Sequence, residues 1–199
     1  MVELPRSFKV FEFRSGLEVI REAFRASDAT MDAAMRSADE AEMAYLDSGE
    51  DEEEYDEDGI LVWTKANELD DASRQALIAS RAVREAFVTA AFHYWERSAR
   101  SLTGLHKATD TFPVLRKAMK KKYPVSHRLT HVNILNNLLK HGSEGHAVSL
   151  STKWPELFRP PLSGRGNVPF RARLTVSASH VEEVFQIILD SGPADMSGS

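Results

Sequence analysis

Apolar side chains recur at helical spacing over two long segments of the chain. In residues 16–46 they return every three or four positions, and alanine, a strong helix former, is frequent between them. Residues 69–102 repeat this pattern, with charged residues on the opposite side. The sequence therefore predicts two long amphipathic helices. Their apolar positions include Leu17, Ile20, Phe24, Met31 and Met35 in the first and Val83, Phe87, Ala91, Trp95 and Leu102 in the second.

Shorter elements are predicted after residue 102. A third helix is expected over residues 111–123, and a fourth over 127–141, because Gly142 is typical of the position just past a helix end. Ser179 and Glu182 form a capping box that would begin a last helix. Alternating apolar and polar residues in 170–177 predict a strand. The fold class is mainly α: a helical bundle built on two long helices plus shorter helices, with a small β element near residues 170–177.

We expect a single helical domain over residues 1–199, with two polar segments outside its core. Residues 47–58 contain nine acidic side chains and one tyrosine. Their mutual repulsion disfavours a helix, so an acidic solvated loop is predicted, and whether it also binds a basic partner stays open. A short apolar run at 59–63 is strand-like in composition. The tail from about residue 192 is small and polar, which predicts disorder.

Composition excludes several classes of protein. The chain has no cysteine, so disulfides, thiolate metal sites and cysteine nucleophiles are excluded, and the net charge of −5 disfavours broad, sequence-independent nucleic-acid binding. The N-terminal residues lack the pattern of a signal peptide, and no apolar run approaches the roughly 18 residues that a membrane span needs. We therefore expect a cytoplasmic protein that does not enter a membrane. Hydrolase, phosphate-loop, dinucleotide and calcium-loop signatures are absent.

The predicted fourth helix carries the histidines of most interest. His127 and His131 have the i, i+4 spacing of a zinc-binding pair, but Arg128 stands where the usual glutamate would be and would repel a cation. No metal site is therefore predicted. His131 falls within the apolar stripe of the helix, so we expect a buried, hydrogen-bonded histidine.

The end of the same helix offers a second arrangement. Asn137 and His141 lie four residues apart, so their side chains share one edge, and the amide could fix the tautomer of the imidazole for acid–base chemistry. Lys140 adds a positive charge that could hold a phosphate. A purely structural role is the alternative, because histidine and lysine in a last turn also stabilise the helix dipole.

The segment from Asn136 to Gly142 resembles the signature of the HEPN superfamily, whose members are helical bundles. In that signature an arginine is followed, four to six residues later, by a histidine near a helix end. His141 matches the histidine, Asn137 matches the polar residue after the arginine, and Asn136 occupies the place of the arginine. Asparagine cannot make the charged, bidentate phosphate contact of arginine. The residues that could substitute as RNA-phosphate-binding groups are Lys140, Arg128 and Arg100.

The resemblance implies a protein of a bacterial conflict or defence system that cleaves or binds RNA without a metal or other cofactor. His141, Asn137 and Asn136 would form the catalytic group, in a site built across a homodimer. The stretches His93–Arg97 and Pro155–Phe158 are also similar to sequences in uncharacterised bacterial proteins of this type. The alternative is a non-catalytic immunity or antitoxin-like protein, whose acidic loop would cover the basic surface of a partner such as a toxin. The missing arginine favours this alternative, whereas the Asn137–His141 pair favours the enzyme.

Overall fold

The structure is a computed structural model that describes residues 5–107, 109–160 and 168–194. It is mainly helical, which confirms the predicted fold class. The helices are α1 (Arg6–Ser48), α2 (Lys65–Thr103), α3 (Phe112–Met119), α4 (Leu129–His141), α5 (Glu144–Lys153) and α6 (Ala178–Leu189). Two strands, β1 (Glu53–Tyr55) and β2 (Leu61–Thr64), form an antiparallel hairpin between α1 and α2, and short 3-10 turns lie at Pro155–Leu157 and Phe170–Arg173. None of the described helices combines the length and apolar character of a membrane span.

The chain divides into two compact units. The first comprises the chain up to Phe24 together with the chain from Arg84 onward. Its core collects the apolar faces of the parts of α1 and α2 that belong to this unit and of all four shorter helices, with Trp95, Leu135 and Ile188 fully buried. Of the apolar positions predicted in α1, Leu17 and Phe24 are buried, whereas those beyond Phe24 are only partly buried. This core holds the elements that carry the histidines.

The second unit is residues 25–83. It contains the C-terminal part of α1, the hairpin and the N-terminal part of α2. Turn chemistry orders the hairpin: the Asp56 carboxylate accepts the backbone N–H groups of Asp58 and Ile60, and Gly59 takes the left-handed conformation with φ of 75°. The Tyr45 hydroxyl accepts the N–H of Glu52 at 3.0 Å, linking α1 to the hairpin. The acidic segment predicted as a loop is therefore partly β-structure, and it is fully exposed.

The β element lies in the hairpin and not at residues 170–177, where the prediction placed it. Phe170–Arg173 is a 3-10 turn, and the only β feature described in that stretch is a single antiparallel bridge from Leu174 to Phe158. The reason is a side chain: Glu144 accepts the N–H groups of Phe170 at 2.7 Å and Arg171 at 3.2 Å. These donors are satisfied without a neighbouring strand.

The start of the tail also differs from the prediction. Ser191 and Gly192 are buried, and the Ser191 carbonyl accepts the indole N–H of Trp95 at 2.7 Å. Gly192 lies against the ring of Phe13, where a side chain would collide. The segment predicted as disordered therefore begins with core residues, and residues 195–199 lie outside the described residues.

Candidate functional site

The predicted catalytic histidine lies at the exposed end of α4. His141 is the last residue of the helix, and Gly142 ends it with φ of 62° while donating its N–H to the Leu138 carbonyl. Lys140 and His141 are exposed and Asn137 is partly exposed. The local sequence dictates this geometry, since glycine adopts the left-handed conformation without a steric penalty. The three side chains are thus accessible to solvent.

Asn136 lies in a different environment. It is only 2% exposed, and its Oδ1 has no hydrogen-bond partner among the described residues. The helix turns its side chain into the core beside Leu135, away from the exposed edge of Asn137. The residue in the place of the family arginine therefore does not reach the surface where His141 lies.

The two arginines predicted to bind phosphate make other contacts, and one of them lies far from His141. Arg128 precedes α4 at its other end, so it lies about 20 Å from His141 along the helix axis. Its guanidinium is paired with Glu183 and lies over the Trp154 ring, 4.6 Å from the centroid. Arg100 donates to the carbonyl oxygens of Lys107 and Asp110, which fixes the loop after α2. Of the predicted cations, only Lys140 is adjacent to His141.

The structure instead brings Arg171 to this end of α4. A Cβ atom added to Gly142 would lie 2.6 Å from Cζ of Arg171, so the guanidinium rests directly against the glycine. The Glu144 carboxylate holds the backbone of this arginine, as described above. Sequence reasoning missed Arg171 because it was assigned to the polar side of a strand, and no local pattern signals a contact across about 30 residues. We call Lys140, His141 and Arg171 the basic corner.

A separate cleft of about 680 Å³ lies at the opposite end of α4. We call it the histidine cleft. Trp154, Pro155, Glu156 and Ser179 are among its lining residues. Its principal polar lining residues are His127, Arg128, His131, Lys153, His180 and Glu183.

His131 of the histidine cleft departs from its expected state. Its Nδ1 is buried and has no hydrogen-bond partner among the described residues, so the expected hydrogen bond is not seen at that atom. Burial lowers the pKa of His131 below 6.5, and the positive charges of Arg128, His127 and Lys153 lower it further. The rings of His127 and His131 meet edge to face at 6.4 Å between centroids. His131 is therefore a neutral imidazole in a positive field near pH 7.

His180 is held in the histidine cleft by the cap of α6. Ser177, and not the predicted Ser179, is the N-cap; its backbone N–H donates to His180 Nδ1 at 3.2 Å, and its Oγ accepts the His180 N–H. Because Nδ1 accepts, neutral His180 carries its proton on Nε2. Across residues 5–107, 109–160 and 168–194, no three histidine, aspartate or glutamate side chains are grouped as metal ligands.

The hairpin of the second unit presents a third feature. Residues 50–62 are all exposed, and eight acidic residues lie within 50–58. Ile60, Leu61 and Val62 are 62%, 45% and 59% exposed although they are large and apolar. We call residues 50–64 the acidic hairpin.

Comparisons with known proteins identify no relative of the chain: no family model, no curated protein and no solved structure matches it. The HEPN resemblance consequently rests on the sequence alone, on the motif around His141 and the stretches His93–Arg97 and Pro155–Phe158.

Proposed function

We propose that the protein is a binding protein that docks onto a basic protein partner through the acidic hairpin. The observation that carries this proposal is the exposure of Ile60, Leu61 and Val62 among eight acidic side chains. Such a protein corresponds to the immunity or antitoxin-like alternative, in which an acidic surface covers a basic one.

Charge gives the hairpin its selectivity. The Tyr55 phenol donates to Glu53, and this hydrogen bond together with the charge of Glu53 raises the pKa of Tyr55. The field of the eight acidic side chains extends over about 10 Å at ordinary salt and attracts a positively charged surface. It also repels a second acidic hairpin. The charge therefore favours a basic partner over self-pairing.

The apolar residues supply the contact itself. Both strands of a two-stranded sheet are edge strands, with backbone donors and acceptors available for a further strand. Tyr55 is 55% exposed and adds an amphipathic aromatic ring of the type enriched in protein interfaces. The expected partner surface is thus basic, with an apolar centre.

Paired variants test this proposal. Ile60→Ser with Val62→Ser should lose a partner cross-linked in extracts of the source cells, while Leu77→Ser with Ile78→Ser, equally exposed on α2, should retain it. With the recovered partner purified, affinity should fall at least about tenfold between roughly 50 and 300 mM salt. Replacing Asp51, Glu52, Glu53 and Glu54 by amides should flatten that dependence. Equal partner recovery by both apolar variants would contradict the proposal.

RNA cleavage at the basic corner is a second candidate function. The observation in its favour is Arg171 resting against Gly142, because an arginine at this position could supply the phosphate contact that buried Asn136 does not. In such a site a ribose 2′-hydroxyl would attack the adjacent phosphate, forming the P–O2′ bond and breaking the P–O5′ bond. His141 would move the proton, and Asn137 would orient its ring.

Cleavage of a labelled single-stranded RNA separates the roles at the basic corner. His141→Ala should abolish formation of the cyclic phosphate product, and Arg171→Ala should reduce it at least about tenfold. Exposed Arg36→Ala is the matched control and should leave the rate unchanged. The HEPN resemblance further implies a homodimer, so light scattering should give a mass near twice 22.3 kDa. Product formation that persists in His141→Ala would remove this candidate.

A further inference from the structure

The histidine cleft concentrates cationic and imidazole groups that neither function above uses. They come from three elements: His127, Arg128 and His131 from the start of α4, Lys153 from the end of α5, and His180 from the first turn of α6. Two carboxylates, Glu156 and Glu183, also line it. The two permanent positive charges of the lining therefore equal its two negative charges.

The charges are not paired evenly. Glu183 is committed to Arg128, whereas Lys153 reaches only the Ser149 hydroxyl, at 3.0 Å, among its described hydrogen bonds. The field felt by His131 is accordingly positive, with contributions from Arg128, His127 and Lys153. An anion in the cleft would oppose this field.

The groups are also held in place. The Glu183 pair and the Trp154 ring restrain Arg128 from two sides, and the Ser177 cap restrains His180. His131 Nδ1 is buried and has no hydrogen-bond partner among the described residues, which costs free energy. A preorganised site of this type binds with a smaller loss of side-chain entropy.

We propose that the histidine cleft binds the phosphate group of a small phosphate monoester. Lys153 supplies a positive charge that no ion pair among the described residues neutralises, and Arg128 supplies the guanidinium N–H groups other than those of Nη1, which is paired with Glu183. His131 and His180 supply hydrogen bonds. A monoester fits better than a phosphodiester because a dianion interacts more strongly than a monoanion with the positive charges around His131. The site is separate from the basic corner, at the other end of α4.

Titration of the histidine ring protons by NMR tests the proposal on the full chain. Inorganic phosphate and phenyl phosphate should each raise the pKa of His131, because the bound anion cancels the positive field. Sodium chloride at equal ionic strength is the reference. His131→Asn assigns the resonance. A His131 titration that is the same in phosphate and in chloride would overturn the proposal.

Variants locate the effect within the cleft. Lys153→Gln and Arg128→Gln should each weaken phosphate binding at least about tenfold, as expected for loss of a charged hydrogen bond. Exposed Lys117→Gln on α3 is the matched control and should bind as the parent does. A dimethyl phosphate anion, which carries one charge, should bind more weakly than phenyl phosphate. Equal binding by Lys153→Gln and the parent, or equal affinity for the diester, would overturn the assignment.

Discussion

Asn136 and Asn137 are neighbours in the sequence, yet their side chains meet different surroundings. A helix rotates about 100° per residue, so one amide points into the core and the other to the edge shared with His141. Asn136 is 2% exposed, its Oδ1 has no partner among the described residues, and burying such a group costs about 1–3 kcal/mol. A polar residue at this position therefore weakens the fold.

Substitution of Asn136 should reveal this cost. Asn136→Leu should leave the free energy of unfolding unchanged or raise it by about 1 kcal/mol, since it removes the unsatisfied oxygen at similar volume. Asn136→Arg, which would place the arginine of the HEPN signature at this position, should lower the free energy of unfolding by about 3 kcal/mol or more because it buries a charge. Partly exposed Asn137→Arg is the control and should stay within about 0.5 kcal/mol. Chemical denaturation measures the free energy of unfolding of all three variants. An unchanged free energy of unfolding in Asn136→Arg would show that the side chain reaches solvent.

His131 should make stability depend on pH. Its pKa in the folded protein is lowered below 6.5, so the unfolded chain binds the proton more readily. Stability is therefore fully present above about pH 6.5 and falls as the pH drops from there toward the folded pKa. His131→Gln should flatten the pH dependence of unfolding over that window. A parent protein whose stability is constant between pH 7 and pH 5 would contradict this sign.

Residues whose role follows from their own helix could be predicted from the sequence. The Gly142 cap and the edge shared by Asn137 and His141 depend only on helical geometry. The buried, hydrogen-bonded state expected of His131 is not found: the residue is partly exposed in the histidine cleft, and its Nδ1 has no hydrogen-bond partner among the described residues. Arg171 and Lys153 could not be assigned, because their positions depend on contacts between elements far apart in sequence. The local sequence does not indicate which distant residues a long side chain contacts.

Among the helices and strands, too, some could be predicted from the sequence and others could not. The two long helices could be predicted because apolar positions repeat at helical spacing over 30 residues or more. The strand predicted from the alternation in residues 170–177 was wrong. Only its last two apolar residues, Leu174 and Val176, are buried, and Glu144 takes the backbone donors that a strand would pair. Whether a short periodic run forms a strand depends on its tertiary contacts. The hairpin strands were partly foreseen, since residues 59–63 had the composition of a strand.

The turn between α4 and α5 allows a matched test at this scale. Gly142→Ala should destabilise the protein by about 1–2 kcal/mol, because φ is 62° and the new carbon would collide with Arg171. Gly145→Ala, in α5, meets only Ser143 Oγ at 3.6 Å and should stabilise by about 0.5–1 kcal/mol. Thermal unfolding compares the two variants. If both substitutions shift the melting temperature in the same direction, the left-handed conformation of residue 142 does not determine the stability of this turn.

For the molecule as a whole, apolar burial is uneven between the two units. Among the described residues, every buried hydrophobic side chain lies in the first unit, from Val10 to Phe24 and from Val88 to Ile188. In residues 25–83 the buried side chains are Asp28 and Ser80, both polar. Large apolar residues of that unit stay exposed, including Met43, Leu46, Leu77 and Ile78. Since apolar burial is the main source of stability, the second unit should open more readily.

Hydrogen exchange measures that difference directly. Backbone amides of residues 30–46 and 68–80 should show protection factors at least about 100-fold lower than those of residues 88–99 and 130–139, although all four segments are helical. The reason is that their helical hydrogen bonds are supported by few buried contacts. Adding the partner of the acidic hairpin should raise protection in the second unit and leave the first unchanged. Equal protection of both units in the isolated protein would mean that they unfold as one cooperative body, or that a second copy covers the exposed apolar residues, which dilution would reverse.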